Sequence, residues 1–151
     1  MNKVLFRAEE LPMPFFRKDA ERFIRRVLHL LGLENWELSV LFCNNRFIKS
    51  LNAQYRNKDE PTDVLSFPLG ETGRGGRFMA GDIVISLDAL QENSRFFKVS
   101  ADEELRRLLV HGILHLFGCE HATNREEEPM LVTQERILST LAREKILEKN
   151  L

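Results

Sequence analysis

The sequence has 151 residues, of which 43% are hydrophobic and 30% charged, and its formal net charge is −1. This composition is typical of a soluble globular protein and excludes a disordered chain, and the length predicts a single domain over residues 1–151. Cys43 and Cys119 give no disulfide framework, and no apolar run is long enough for a signal peptide or a membrane span, so we expect a cytoplasmic protein.

Hydrophobic periodicity predicts a mixture of short strands and helices. Strands are predicted at residues 4–8, 36–43, 62–69 and 81–87, and helices at residues 16–31, 44–56, 87–97, 100–117 and 130–141. The glycine-rich stretch 70–81 is predicted to be a mobile loop between two of the strands.

Residues 111–121, with the sequence HGILHLFGCEH, contain three of the four histidines of the chain. The spacing H-x3-H-x5-H is that of the long zincin signature, but Gly112 replaces the glutamate that follows the first histidine in those hydrolases. An S-x-x-E capping box, formed by Ser100 and Glu103, starts the predicted helix, and Gly118 ends it.

These three histidines are predicted to bind one metal ion. His111 and His115 project from one helix face, and His121 follows a glycine that permits the chain to fold back toward that face. Three desolvated imidazoles packed without a metal would leave buried polar atoms hard to satisfy. Cys119 is an alternative ligand that would close the site as a structural zinc, although it lies only two residues before His121. We expect no such role for His29, which has no polar cluster around it.

Four blocks of the sequence together resemble the YbeY family of bacterial endoribonucleases. They are LNAQYRNKDEPTDVLSFP at residues 51–68, GDIVIS at 81–86, the histidine segment at 111–121, and Met130 beyond it. The resemblance covers about residues 45–138, in order. It implies a zincin-like α+β domain, in which a small mixed sheet of about four strands packs against helices and the metal site lies on a helix and the turn after it.

The resemblance also implies an activity and its residues. The family matures ribosomal RNA, so we expect a single-strand-specific, metal-dependent endoribonuclease that processes the 3′ end of small-subunit ribosomal RNA and acts in ribosome quality control. One zinc ion (Zn²⁺) per chain would be held by His111, His115 and His121, and Arg56 in the L-N-x-x-Y-R motif would be an active-site arginine. The implied partners are ribosomal RNA, the small ribosomal subunit and ribosome assembly factors.

The sequence departs from the family pattern beside the last histidine. Where the family usually has Gly-Tyr-Asp-His, this chain has Gly118, Cys119, Glu120 and His121. Glu120 keeps the carboxylate on an arm one methylene longer. It is the second candidate catalytic residue, acting on a ligand histidine, on bound water or as a proton acceptor.

The residue types fit phosphodiester cleavage better than peptide hydrolysis. Gly112 cannot act as the general base that H-E-x-x-H proteases use. A metal ion together with Arg56 would offset the negative charge that develops on the phosphoryl group. The alternative for Arg56 is a structural salt bridge to Asp59, Glu60 or Asp63. Whether the 2′-hydroxyl or metal-bound water attacks is left open, and three imidazoles also accept nickel or copper.

Two further features each have two interpretations. Residues 1–58 hold 11 Lys and Arg against 6 Asp and Glu, and five of these basic residues fall in the first helix: Arg17, Lys18, Arg22, Arg25 and Arg26. Such a stripe suits an RNA backbone, or is an ordinary solvated helix face.

Met130 is either a methionine turn beneath the metal or the first core residue of the last helix, where Gln134, Ile137, Leu138 and Leu141 share its spacing.

Two alternative functions stay open at this stage. One is a non-catalytic ribosome-associated assembly factor that zinc stabilises. The weaker one is a metalloprotease-like hydrolase, for which Glu120 is the one available base.

Overall fold

A computed structural model of the protein describes residues 1–121 and 123–147. The elements in chain order are β1 (Lys3–Ala8), α1 (Arg17–Leu30), β2 (Trp36–Cys43), α2 (Asn45–Arg56), β3 (Val64–Thr72), β4 (Phe78–Ser86), α3 (Leu87–Phe97), α4 (Ala101–Leu116) and α5 (Pro129–Thr140). Each strand and helix predicted from the sequence is present, with β2 and α3 at the expected residues. Among the described residues, none of the helices has the length and apolar character needed to cross a membrane.

The four strands form one mixed sheet in the order β1-β2-β4-β3. β2 pairs in parallel with both β1 and β4, whereas β3 pairs with β4 in antiparallel fashion. This arrangement confirms the predicted α+β fold with a small mixed sheet.

The sheet separates two hydrophobic clusters, because successive side chains of a strand point to opposite faces. Leu38, Val40 and Phe42 of β2 belong to the larger cluster, which also contains residues of α1, α4 and α5. Cys43 of β2 belongs to the smaller cluster, which packs against α2. Helix α4 therefore lies beneath the sheet, and most of its residues are buried.

The glycine-rich stretch 70–81 is not the mobile loop that its composition predicts. β3 extends to Thr72 and β4 begins at Phe78, so much of this stretch is a β-hairpin whose tip is a short 3-10 turn at Arg74–Gly76. Gly81 lies so close to β3 that a Cβ atom there would be 2.2 Å from the carbonyl oxygen of Phe67. Because glycine carries no side chain, the glycines interrupt the alternation from which a strand is predicted. The close approach of β3 and β4 nevertheless requires a glycine at position 81.

Candidate metal centre

The end of α4 has the geometry that turns the chain back toward the helix. Gly118 has a φ of 98°, in the region that favours glycine. Its N–H donates to the carbonyl of His115 at 3.0 Å, and the N–H of Cys119 donates to the carbonyl of Leu114 at 2.9 Å. These two bonds are those of a Schellman motif, which satisfies the last helical carbonyls. At the other end, the Ser100 hydroxyl caps the helix, as predicted.

The reversal brings His121 back to the two histidines of α4. The ring centroid of His121 is 5.4 Å from that of His111 and 5.7 Å from that of His115, and the two helical rings are 4.6 Å apart. One ligand atom from each residue lies within 4.8 Å of the other two. Among the described residues, this is the only group of three or more His, Cys, Asp or Glu with metal-binding spacing.

Each of the three rings uses its Nδ1 atom in a hydrogen bond to an oxygen. The partners are Gln134 Oε1 for His111 at 2.8 Å, the Cys119 carbonyl for His115 at 3.1 Å, and the Thr123 carbonyl for His121 at 2.8 Å. Because these oxygens accept and do not donate, the proton of each neutral ring is on Nδ1. The lone pair of each Nε2 is therefore available as a ligand.

The Nε2 atoms of His111 and His115 are 3.1 Å apart. Neither carries a hydrogen in the tautomer that the Nδ1 contacts fix, so two lone pairs face each other. A cation between them removes this repulsion, and a metal-binding histidine characteristically donates its other N–H to an oxygen in this way. The donor set of the cluster therefore fits a metal ion.

Burial favours the neutral form of the two helical histidines. Desolvation is the largest cause that lowers the pKa of His111, and the hydrogen bond to Gln134 partly opposes it. Desolvation also lowers the pKa of His115, and the neighbouring rings of His111 and His121 lower it further. Both rings are held in the unprotonated form that binds metals.

The family profile described as Endoribonuclease YbeY matches residues 6–142. The chain belongs to the YbeY family. It is 55% identical over 123 residues to Endoribonuclease YbeY of Treponema denticola, covering 78% of this chain and 79% of that protein. It is 45% identical over 128 residues to Endoribonuclease YbeY of Aquifex aeolicus, covering 84% and 83%. A solution structure of a Thermotoga maritima protein shares the fold, with a TM-score of 0.64 and 26% identity over 93% of this chain and 90% of that one.

The alternative of a closed His/Cys site does not agree with the position of Cys119. Its side chain packs against the main hydrophobic cluster and lies outside the histidine group. Its backbone carbonyl accepts a hydrogen bond from Nδ1 of His115. Cys119 therefore orients a histidine through its main chain. Cys43 and Cys119 are both free thiols, and burial raises the pKa of Cys43 to about 12.

Arg56 lies near the histidine cluster, and it does not form the structural salt bridge that was the alternative interpretation of this residue. Arg56 is the exposed last residue of α2. It makes no ion pair with Asp59, Glu60 or Asp63 within the part of the chain that the structure describes. Its positive charge contributes to the lowering of the His115 pKa, so the guanidinium acts electrostatically on the cluster.

Glu120 is exposed in the turn between α4 and His121. Its carboxylate is not part of the histidine group, and it makes no hydrogen bond or ion pair with any other described residue. The turn thus leaves this carboxylate facing solvent beside the last histidine.

Gly112 shows why the zincin glutamate has no counterpart in this YbeY family member. The residue is buried against the sheet, and a Cβ atom there would lie 2.8 Å from Cγ2 of Ile83 in β4. A glutamate at this position has no space, and a general base placed there would face the sheet rather than the metal.

Two residues of α5 share the buried face of the helix but have different roles, and the core interpretation of Met130 is confirmed. Met130 is buried in the main hydrophobic cluster as the second residue of α5, so it is a core residue and not a methionine turn. Gln134 is the functional residue that the sequence analysis missed. Its signal was a polar residue in the apolar stripe of α5, where it is 5% exposed and accepts a hydrogen bond from His111.

Ion pairs engage much of the basic stripe of α1. They join Arg22 to Asp19 at 3.7 Å, Arg25 to Glu21 at 3.0 Å and Arg26 to Glu144 at 3.6 Å. Arg25 also donates to the carbonyl of Asn2. The stripe therefore carries less unpaired positive charge than the sequence indicates, and we assign no RNA contact to it.

Proposed function

We propose that this chain is a zinc-dependent endoribonuclease, a hydrolase that cleaves phosphodiester bonds in single-stranded ribosomal RNA. The proposed setting is the cytoplasm, in maturation of the 3′ end of small-subunit ribosomal RNA and in ribosome quality control, with the small subunit and its assembly factors as partners. The observation that carries the proposal is the convergence of three histidine side chains, each with its Nδ1 atom bonded to an oxygen, in a chain of the YbeY family. Residues 1–151 would act as a single catalytic domain.

In this proposal His111, His115 and His121 hold the ion, and their Nδ1 hydrogen bonds fix the direction of each Nε2 lone pair. When bound, zinc supplies a Lewis acid and lowers the pKa of a water ligand. The three oxygens that accept the Nδ1–H hydrogen bonds keep the rings correctly turned, so little reorganisation accompanies binding.

Arg56 and Glu120 would complete the site. The exposed guanidinium of Arg56 can donate two parallel hydrogen bonds to the scissile phosphate and so stabilise the charge that develops on its oxygens. Glu120 would accept a proton from the attacking hydroxyl or water, a role compatible with its exposed carboxylate. Because RNA carries its own 2′-hydroxyl, the protein needs to provide positioning and charge more than a nucleophile.

The two alternatives receive less support. A protease would need a general base beside the first histidine, and Gly112 packed on Ile83 excludes one there. A purely structural zinc would be expected to have a fourth protein ligand, whereas the described cluster contains three residues.

The test combines elemental analysis of the purified protein with cleavage of structured ribosomal RNA, with and without chelator. We expect a single zinc ion per chain, lost in His111→Ala, His115→Ala and His121→Ala but retained in the control His29→Ala. A His115→Ala protein that is folded but inactive supports the enzyme. Full metal occupancy in His121→Ala, or a wild-type protein that cleaves no RNA, would refute the proposal.

A further inference from the structure

A cleft of about 1140 Å³ opens beside His111 and His121 and runs along α4. Its floor includes Glu104, Leu108 and His111, which follow one another at successive turns of the helix and span about 10 Å. α3 and α5, which both pack on α4, also supply lining residues. The volume exceeds the roughly 300–1,000 Å³ of small-ligand pockets, so the cleft can hold a segment of a polymer.

Phe97 is an unusual lining residue because it is large, aromatic and 59% exposed. It is the last residue of α3, and the turn after it is held by two hydrogen bonds. The N–H of Val99 donates to the Ser94 carbonyl at 3.1 Å, and the Ser94 hydroxyl donates to the Val99 carbonyl at 2.7 Å. From α5, Val132 adds a second exposed apolar side chain to the same cleft. The ring of Phe97 is thus presented to the cleft on a backbone that is already ordered.

The charges of the cleft complement nucleobases better than phosphates. Arg107, the one arginine among the described lining residues, is engaged by Glu103 at 3.5 Å, Glu104 at 3.9 Å and Glu135 at 3.1 Å. Carboxylate and amide oxygens accept hydrogen bonds from the amino groups of base edges but repel a phosphate. A strand whose phosphate lies at the histidines and Arg56 would therefore turn its bases, not its backbone, toward this part of the cleft.

We propose that Phe97 stacks on an unpaired nucleobase next to the cleaved phosphodiester and thereby selects single-stranded RNA. This inference rests on the proposed function and adds to it a specificity-determining residue. In a duplex, both faces of each base are covered by neighbouring bases, so only an unpaired base can stack on a protein ring. The rest of the chemistry stays with the histidines and Arg56.

The first test compares Phe97→Ala with a matched control elsewhere on the surface. Phe96 is unsuitable because its ring packs edge-on against Phe97, with centroids 5.0 Å apart. Phe15 is 88% exposed, contacts Phe16 and does not line the cleft, so Phe15→Ala removes an equal ring away from the site. We expect Phe97→Ala to raise KM by roughly 5- to 150-fold, the loss of one base–aromatic stack, with little change in kcat. Phe97→Trp should keep a low KM, and Phe97→Leu should resemble the alanine variant. Bound metal and Tm should be unchanged in all four variants.

The second test removes the base instead of the ring. RNA oligonucleotides with one abasic nucleotide at each position around the cleavage site are cleaved by wild type and by Phe97→Ala. One abasic position should raise KM for wild type and have no further effect on Phe97→Ala, because the same stack is already lost. Equal abasic penalties in both proteins would refute the stacking role.

Other outcomes separate this inference from the function on which it rests. Wild-type KM in Phe97→Ala, with RNA still cleaved, refutes the stacking role alone. Weaker binding of a basic protein by Phe97→Ala, with RNA cleavage unchanged, would identify the cleft as a protein site and also refute it. A wild-type protein that cleaves no RNA removes both proposals together.

Discussion

The Nδ1 atom of His111 donates a 2.8 Å hydrogen bond to Oε1 of Gln134, which ties α4 to α5 at the histidine cluster. Gln134 is buried, and its own Nε2 donates to Glu135 at 3.3 Å, so the amide is held with its oxygen toward the ring. A contact of this kind fixes the tautomer and orientation of a metal-binding histidine.

Replacing Gln134 should therefore weaken the metal site without removing a ligand. Gln134→Leu leaves the Nδ1 proton of His111 without its acceptor, and we expect metal affinity to fall roughly 10- to 100-fold. Gln134→Glu keeps an acceptor and should retain tight binding. Competition with a chromophoric chelator measures the affinity, and circular dichroism checks that both variants are folded. Equal affinities in wild type and Gln134→Leu would show that the contact has no influence on the metal.

The metal-free protein should lose stability as the pH falls below about 6.5. Burial lowers the pKa of His111 and of His115 in the folded state, so between those lowered values and 6.5 the unfolded chain binds protons that the folded chain does not. The free energy of unfolding therefore decreases as the pH drops through this window. Urea titrations in the presence of chelator measure it. His111→Ala and His115→Ala should each show a shallower decrease, and an unchanged slope in both would contradict this origin.

Arg56 should affect catalysis much more than stability. It is exposed and has no ion pair within the described residues, so Arg56→Ala should leave Tm nearly unchanged. Loss of a contact made mainly in the transition state should lower the rate of RNA cleavage by Arg56→Ala roughly 10²-fold. The rate of Arg56→Lys should lie between those of wild type and Arg56→Ala, because lysine keeps the charge but cannot donate two parallel hydrogen bonds to the phosphate. The matched control is Arg46→Ala in the same helix, which removes an ion pair to Glu10 and should cleave normally. Normal cleavage by Arg56→Ala would end the catalytic assignment.

Glu120→Gln should separate metal binding from proton transfer. The carboxylate lies outside the histidine group, so we expect full metal occupancy. If the carboxylate accepts a proton during the reaction, the amide variant should be slower and its pH–rate profile should lose the limb that this group causes. Glu120→Asp, which keeps the carboxylate on an arm one methylene shorter, should be active. A wild-type pH–rate profile in Glu120→Gln would show that the carboxylate accepts no proton in the reaction and that the residue only forms part of the turn.

Gly112→Ala should destabilise the fold because its Cβ would meet three atoms of Ile83 between 2.8 and 3.1 Å away. Overpacking of this kind costs about 1–3 kcal/mol of unfolding free energy. Ile83→Ala removes all three contacting atoms, so the double variant should be more stable than the sum of the single effects predicts. Denaturant titration of the four proteins measures the coupling, and strict additivity would show that the two positions do not clash.

Local patterns in the sequence were sufficient for much of the fold and for the position of the histidines. Hydrophobic periodicity predicted β2 and α3 at their observed ends, because strand alternation and helical spacing depend on neighbours in the chain. The pairing of His111 with His115 follows from helix geometry alone, and the turn that returns His121 needs little more than Gly118.

Only the tertiary structure determined the contacts between residues that are far apart in the chain. Gln134 supports His111 across 23 positions, Ile83 closes the space beside Gly112, and Phe97 faces the cleft that α5 also lines. Periodicity shows which face of an element is buried, but it does not show which residues of another element fill that face. Those partners depend on how the helices pack on the sheet, so a polar residue such as Gln134 looks like a core position until α5 is placed against α4.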